Sequence, residues 1–214
     1  MSVEPKVDME HPVKTIVPES QSAIAIIKEE HRSIGYVVHT LQRVLRDVAS
    51  HKSQPDFALI ATMLYYIDSF TDRCHHPKED EHLFKRLRSR TKRANALLDE
   101  LQEQHASGAR SMNCLIQTFV HWQGGAPHGL RPFSQTVDGY AESLWRHMEL
   151  EETAALVFAQ QHLLQEDWCA INDAFGANDD PLFGAHVRGE FLKLKQRIVN
   201  RLPEKITRRR LRAT

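Results

Sequence analysis

His75 and Glu79 stand four residues apart in the stretch His75-His76-Pro77-Lys78-Glu79, and the pattern returns 72 residues later in His147-Met148-Glu149-Leu150-Glu151. In a helix this spacing puts an imidazole and a carboxylate on one face, one turn apart. Both pairs interrupt apolar stripes of helical period. A carboxylate in an apolar stripe loses several kcal/mol unless it is neutralised or paired, so Glu79 and Glu151 require a positive partner. Glu and His on facing helices of a bundle are the donors of two-metal carboxylate sites. Imidazole and carboxylate without thiolate suit iron, manganese or zinc.

Four helices are needed to position these pairs. A first helix begins near Pro18-Glu19-Ser20 and carries Ile27, His31, Ile34, Val38, Leu41, Leu45 and Val48 at steps of three and four. A second is capped by Asp56 and presents Leu64, Ile67, Thr71, His75, Glu79 and Leu83; Pro77 predicts a kink within it. A third starts at Thr91, with Leu98, Leu101, His105, Gly108, Met112, Leu115 and Phe119 on its seam. The turn-rich residues Gln123 to Gly129 predict an exposed loop. The fourth helix carries Phe133, Val137, Tyr140, Leu144, His147, Glu151, Ala154 and Phe158. The fold class is therefore all-α, an up-down antiparallel four-helix bundle. Short C-terminal elements follow: a helix from Glu166 to Phe175, a loop from Gly176 to Gly184 and a helix from Glu190 to Asn200. The organisation predicted is a leader (1–19), a bundle (20–165), a helical extension (166–203) and a basic tail (204–214).

Taken singly, each signal has a plain structural explanation. A lone seam histidine such as His31 or His105 is more often a hydrogen-bonded core residue, and one His-x-x-x-Glu is often a solvated pair. The conjunction of His31, His75, Glu79, His105, His147 and Glu151 on four seams is what points to a metal centre. His76, Asp80, His82 and Glu152 fall off the seams and are expected in an outer layer or at the surface; Glu149 should be solvated and His39 should lie at the edge of the stripe. Tyr66, Tyr140 and Trp145 are the candidate redox neighbours, with Tyr140 expected in the core and the other two at the surface.

The 28 basic residues equal the 28 acidic ones, so overall charge points to neither nucleic acid nor membrane. Cys74, Cys114 and Cys169 show no paired spacing, which fits a reducing cytoplasm. Residues 1–19 lack the features of a secretory signal, and no apolar run reaches membrane-spanning length.

Through Glu30-His31, His75 to Phe84, Glu103-Gln104-His105 and His147 to Glu152, the chain resembles the hemerythrin-like family of HHE cation-binding domains over roughly residues 22 to 165. Asn178 to Gly184, Glu190-Phe191 and Arg197 to Asn200 are also similar to the C-terminal extension of a bacterial branch. The resemblance implies a bundle holding two non-haem iron ions, with His31, His75, His105 and His147 as terminal ligands and Glu79 and Glu151 as bridges. It also implies two departures from the oxygen carriers. They bear a second histidine four residues after the third-helix ligand, where this chain has Ala109. They place an aspartate five after the fourth-helix histidine, where this chain offers Glu151 at four and Glu152 at five. A centre one imidazole short is expected to leave positions open. The pattern is closer to the branch linked to iron handling, iron-sulfur repair and the sensing of oxygen, nitric oxide or iron.

Three functions follow as expectations. The first is a di-iron protein that binds or senses a small oxidant (oxygen, nitric oxide, peroxide) or handles iron. The second is a di-iron enzyme reducing peroxide or nitric oxide. The third is a regulatory protein acting through the tail Lys205 to Arg212, five of whose eight residues are basic. A small diatomic or peroxide ligand is the expected partner. Membranes are not, nucleic acid enters only through the tail, and a homodimer is compatible with the pattern.

Overall fold

The computed structural model describes residues 18–176, 180–182, 191 and 194–196. Helix α1 spans Pro18–Ala49. Helix α2 runs unbroken from 57 to 90, its first turn capped by the Asp56 carboxylate, which accepts from the Leu59 N–H at 3.0 Å. Thr91 caps a short 3₁₀ turn, Lys92–Ala94, that leads into α3 (Asn95–Gln123). Helix α4 covers residues 130–162, and α5 (Gln165–Phe175) follows it directly. Among the described residues there is no strand, and no helix is long and apolar enough to cross a membrane.

The turn between α3 and α4 depends on two glycines. Gly125 adopts φ +86°, a left-handed conformation that side chains disfavour. A Cβ on Gly129 would lie 2.7 Å from the Trp122 Cα, so the backbones meet there only because the position is bare.

The α2 backbone departs from the expected kink. The positions from Ile67 through Thr71, His75 and Glu79 to Leu83 repeat at steps of four, each of which overshoots a full α-helical turn by about 40°. The chain absorbs this drift in two π-helical segments, Ile67–His75 and Glu79–Phe84, where the His76 N–H reaches the Thr71 carbonyl and the Lys85 N–H the Asp80 carbonyl. His75 and His76 keep helical angles beside Pro77, and the proline sits in the short stretch between the widened segments. Helix α4 does the same at Glu151–Ala155, where the Leu156 N–H reaches the Glu151 carbonyl. The extra residue moves the phase on by one, so Ala155 and Ala159 are buried where Ala154 and Phe158 were expected, and those two are half-buried.

The apolar core falls into two clusters with the polar positions between them. One holds Ile34, Phe70, Met112 and Leu144; the other holds Ile27, Leu83, Leu101 and Ala155. On every bundle helix the candidate ligands lie between a member of each. Helix α5 belongs to the second cluster through Trp168, Ile171 and Phe175, all fully buried, and packs along α1. Tyr66, expected at the surface, is fully buried and donates to Asp180 at 3.2 Å. The aromatic face of α2 is covered there by Leu182 and Phe191 of the extension, a long-range contact that periodicity cannot show. Trp145 is 38% exposed and Tyr140 is buried, as expected. The Gly176–Gly184 loop and the Glu190–Asn200 helix lie mostly outside the described residues, as do most of the leader and all of the basic tail.

Arg90 at the end of α2 ties down α5. Its Nε donates to Asp167 at 2.7 Å, and Asp167 also accepts from the Leu164 N–H at 2.9 Å. Burial would raise the Asp167 carboxyl, but these hydrogen bonds hold it below the usual aspartate value. Its contribution is therefore complete above about pH 4 and lost as pH falls through the lower folded value. Asp167→Ala is expected to lower stability in urea by about 1–3 kcal/mol at neutral pH, with the gap closing in acid. An equal gap at pH 7 and pH 3 would refute this account of the clamp.

Candidate metal centre

Helix α1 supplies His31, α2 supplies His75, His76 and Glu79, α3 supplies His105, and α4 supplies His147 and Glu151. Glu79 and Glu151 are completely buried, and each of the five histidines is at most 7% exposed. Their donor atoms form two groups, each with all atoms within 4.8 Å of one another: His31, His75, Glu79 and Glu151 in the first, and His76, Glu79, His105 and His147 in the second. Glu79 belongs to both. In the first group, His31 Nε2 lies 3.2 Å from Glu151 and 3.5 Å from Glu79, and His75 Nε2 lies 3.1 Å from Glu79. In the second, His105 Nε2 lies 3.6 Å from the other Glu79 oxygen and 3.2 Å from His147 Nε2. The second Glu151 contact, 3.8 Å to His147 Nε2, extends this carboxylate toward the second group as well.

The structure thus brings together all six residues singled out in the sequence and adds His76, which the helical period had placed outside. Adjacent residues on a helix diverge by about 100°, so one α2 turn can address both groups, His75 on the α1 side and His76 between α3 and α4. His76 thus adds an imidazole from α2 to the second group, on the side where Ala109 of α3 offers none. The His-His doublet was the available signal, and a strict stripe discards one of any two neighbours.

The outward nitrogens follow one pattern. His31 Nδ1 donates to Glu152 at 2.9 Å, His75 Nδ1 to Glu30 at 2.7 Å, His105 Nδ1 to Asp80 at 3.2 Å and His147 Nδ1 to the Gln104 carbonyl at 3.0 Å. His76 Nδ1 faces Asp72 at 3.5 Å. An oxygen acceptor at Nδ1 fixes a proton there, so that the Nε2 lone pair, free when the ring is neutral, points inward as metal-binding imidazoles require. Asp80 and Glu152 lie in this outer layer, as expected, and Glu149 is solvent-exposed. Glu30 and Gln104 stand in stretches that carry the family resemblance, but the helical period assigned neither them nor Asp72 a place beside the centre. Glu30 is fully buried and also receives Lys78 Nζ at 2.8 Å, while Lys78 lies 4.7 Å above the Phe175 ring of α5.

The electrostatics show what the donor set needs. Burial alone would raise the Glu79 carboxyl, yet the charge on His75 and the close approach of the His31 and His75 imidazoles hold it well below its usual value. Glu151 is pushed up, by burial and then by the Glu79 charge. Burial opposes charging of His75, but Glu79 and Glu30 carry it up to about 9. Burial drives His147 down to about 2; His76 also falls well below the ordinary range through burial and the nearby His105 and His75. Two neutral imidazoles therefore present lone pairs beside two carboxylates. None of the four oxygens of Glu79 and Glu151, nor His31 Nε2, has a hydrogen-bond partner, although all are sealed from water. Such atoms fit cations, and two groups sharing one carboxylate fit a pair of them.

An all-α bundle with a buried His-carboxylate centre of this design defines a class, and the comparison with protein families supplies its name. The hemerythrin HHE cation-binding domain matches residues 22–159. The chain belongs to this family, whose domains bind metal cations. No curated protein and no solved structure among those compared matches it.

Iron(II) added anaerobically is expected to raise the melting temperature, by mass-action stabilisation of about 2.7 kcal/mol at a hundredfold excess over Kd. His76→Ala should reduce that rise and Glu151→Gln should remove most of it. Glu152→Gln, which disturbs only an outer partner, should weaken metal affinity about 10–100-fold. A rise unaffected by His76→Ala would exclude this histidine from the ligand set.

Proposed function

We propose that this protein binds two non-haem iron ions between the four bundle helices and uses them to bind or sense a small oxidant (oxygen, peroxide) or nitric oxide, or to handle iron. The observation that carries this reading is the pair of donor groups sharing Glu79. In it, His31 and His75 would hold one ion and His76, His105 and His147 the other, with Glu79 and Glu151 shared between them. A thiolate-free donor set also accommodates zinc or manganese, and iron is the choice that family membership favours.

Bound there, a pair of irons supplies reversible ligand coordination and one-electron exchange. The chain's own contribution is positional. Glu152, Glu30, Asp80 and Gln104 hold the imidazole tautomers, the two apolar clusters keep bulk water away, and the Glu30–Lys78 pair at 2.8 Å places a compensating cation behind His75. The exposed thiols of Cys114 and Cys169 support placement in a reducing cytoplasm.

A second reading, reduction of peroxide or nitric oxide by the same centre, draws on Tyr140. This phenol lines a cavity beside His76 and His147. Burial, then the charges of Asp72 and Asp68, hold its proton firmly, so it stands there as a neutral donor. A regulatory role for the basic tail rests on its charge alone.

Protein purified without added metal is expected to contain about two irons per chain, with absorption bands in air that change on anaerobic reduction and are lost in His147→Ala. Stoichiometric nitric oxide or oxygen binding without turnover supports the binding role, whereas sustained peroxide or nitric oxide consumption with an electron donor supports the enzyme. Metal-free protein, or one zinc indifferent to His147→Ala, would refute both.

A further inference from the structure

Two cavities lie in line between α3 and α4. The outer one, about 580 Å³ and open to solvent, is bordered by Glu100, Arg146 and Glu149. The inner one, about 130 Å³, reaches His76 and His147 and is otherwise lined by Ser107, Gly108, Ser111 and Tyr140 among others. Gln104 and Ser143 line both cavities and so mark their junction. Gln104 is pinned there: its Nε2 donates to Glu100 at 3.1 Å, and its carbonyl accepts from His147 Nδ1 at 3.0 Å. With that wall fixed, the bore is set by the small residues facing it.

We propose that these cavities form the access route by which a small uncharged molecule reaches the metal position of His76, His105 and His147, and that Gly108 sets its width. This rests on the proposed two-metal centre. The inner chamber holds a few waters or one ligand of two or three heavy atoms. Two carboxylates against one guanidinium at the mouth disfavour anions. The hydroxyls of Ser107, Ser111 and Ser143 give a hydrogen-bonding ligand partners along the way. Glycine in a helix interior costs about 1 kcal/mol relative to alanine, and nothing in the backbone requires it at Gly108. An added Cβ would meet only Asp72 Oδ1, at an ordinary 3.9 Å. The position has room for a methyl group, and a longer side chain would extend into the chamber.

The test uses the full chain loaded with iron(II), with nitric oxide as the probe and its binding rate followed by absorbance. Gly108→Leu is expected to slow binding at least tenfold at unchanged iron content. Gly139→Leu on α4, where an added Cβ meets nothing within 4 Å, should leave the rate unaltered. If Gly108→Leu does not fold or loads no iron, Ser111→Leu fills the same chamber from the next turn and carries the same expectation. Gly108→Leu, or Ser111→Leu in its place, with its iron kept and a wild-type rate overturns the proposal. Xenon-pressurised crystals of metal-free protein give a reading independent of loading: a xenon atom in the chamber of the wild type and none in Gly108→Leu supports the route, and no xenon in the wild type overturns it. Absence of iron from the wild-type protein would refute the two-metal centre itself, a failure distinct from that of the chamber.

Discussion

Two carboxylates with no exposure to water face each other's charge at the centre of this bundle, and the rest of the molecule is arranged around that constraint. Glu79 and Glu151 cannot both be ionised there without compensating positive charge. Protonated His31 and His75 supply part of it in the protein alone, which is why their imidazoles are raised while His76 and His147 are lowered. A pair of cations would supply the rest and would also satisfy the oxygens that make no hydrogen bond.

The centre also determines the shape of the helices that carry it. Both carboxylates stand at the first position of a π-helical segment, Glu79–Phe84 and Glu151–Ala155. A uniform α-helix could not hold His147, Glu151, Ala155 and Ala159 toward one axis, since steps of four drift out of phase. Wider turns restore the alignment at the expense of regular hydrogen bonding. Packing on either side stabilises the distortion, because each helix is anchored in both apolar clusters, above and below the polar layer.

Around the donors lies a layer that is ionic but directional. Glu152, Glu30, Asp80 and Gln104 each receive one imidazole N–H, and all four partners come from a different helix than the histidine they hold, as His31 with Glu152 shows across 121 residues. His105 with Asp80, 25 residues apart, joins α3 to α2. Ligand orientation is thus a property of the assembled bundle. Lys78 extends the layer to α5, whose Phe175 ring covers the ammonium group, so the helix after the bundle contributes to the electrostatic environment of His75.

What the sequence by itself determined was periodic: four amphipathic helices, their caps and turns, and six polar residues on their inward seams. Stripe and cap arguments reach that far because burial of one helix face is a local property, readable at steps of three and four. His76, the shift from Ala154 to Ala155, the burial of Tyr66 and the outer partners Glu30, Asp72 and Gln104 were decided only by the tertiary structure. The shift to Ala155 depends on a π-helical turn, which changes phase by a residue and leaves no mark in a pattern read at 3.6 residues per turn. The others depend on contacts between segments far apart in the chain, where what neutralises a charge or covers a ring is known only once the helices have packed.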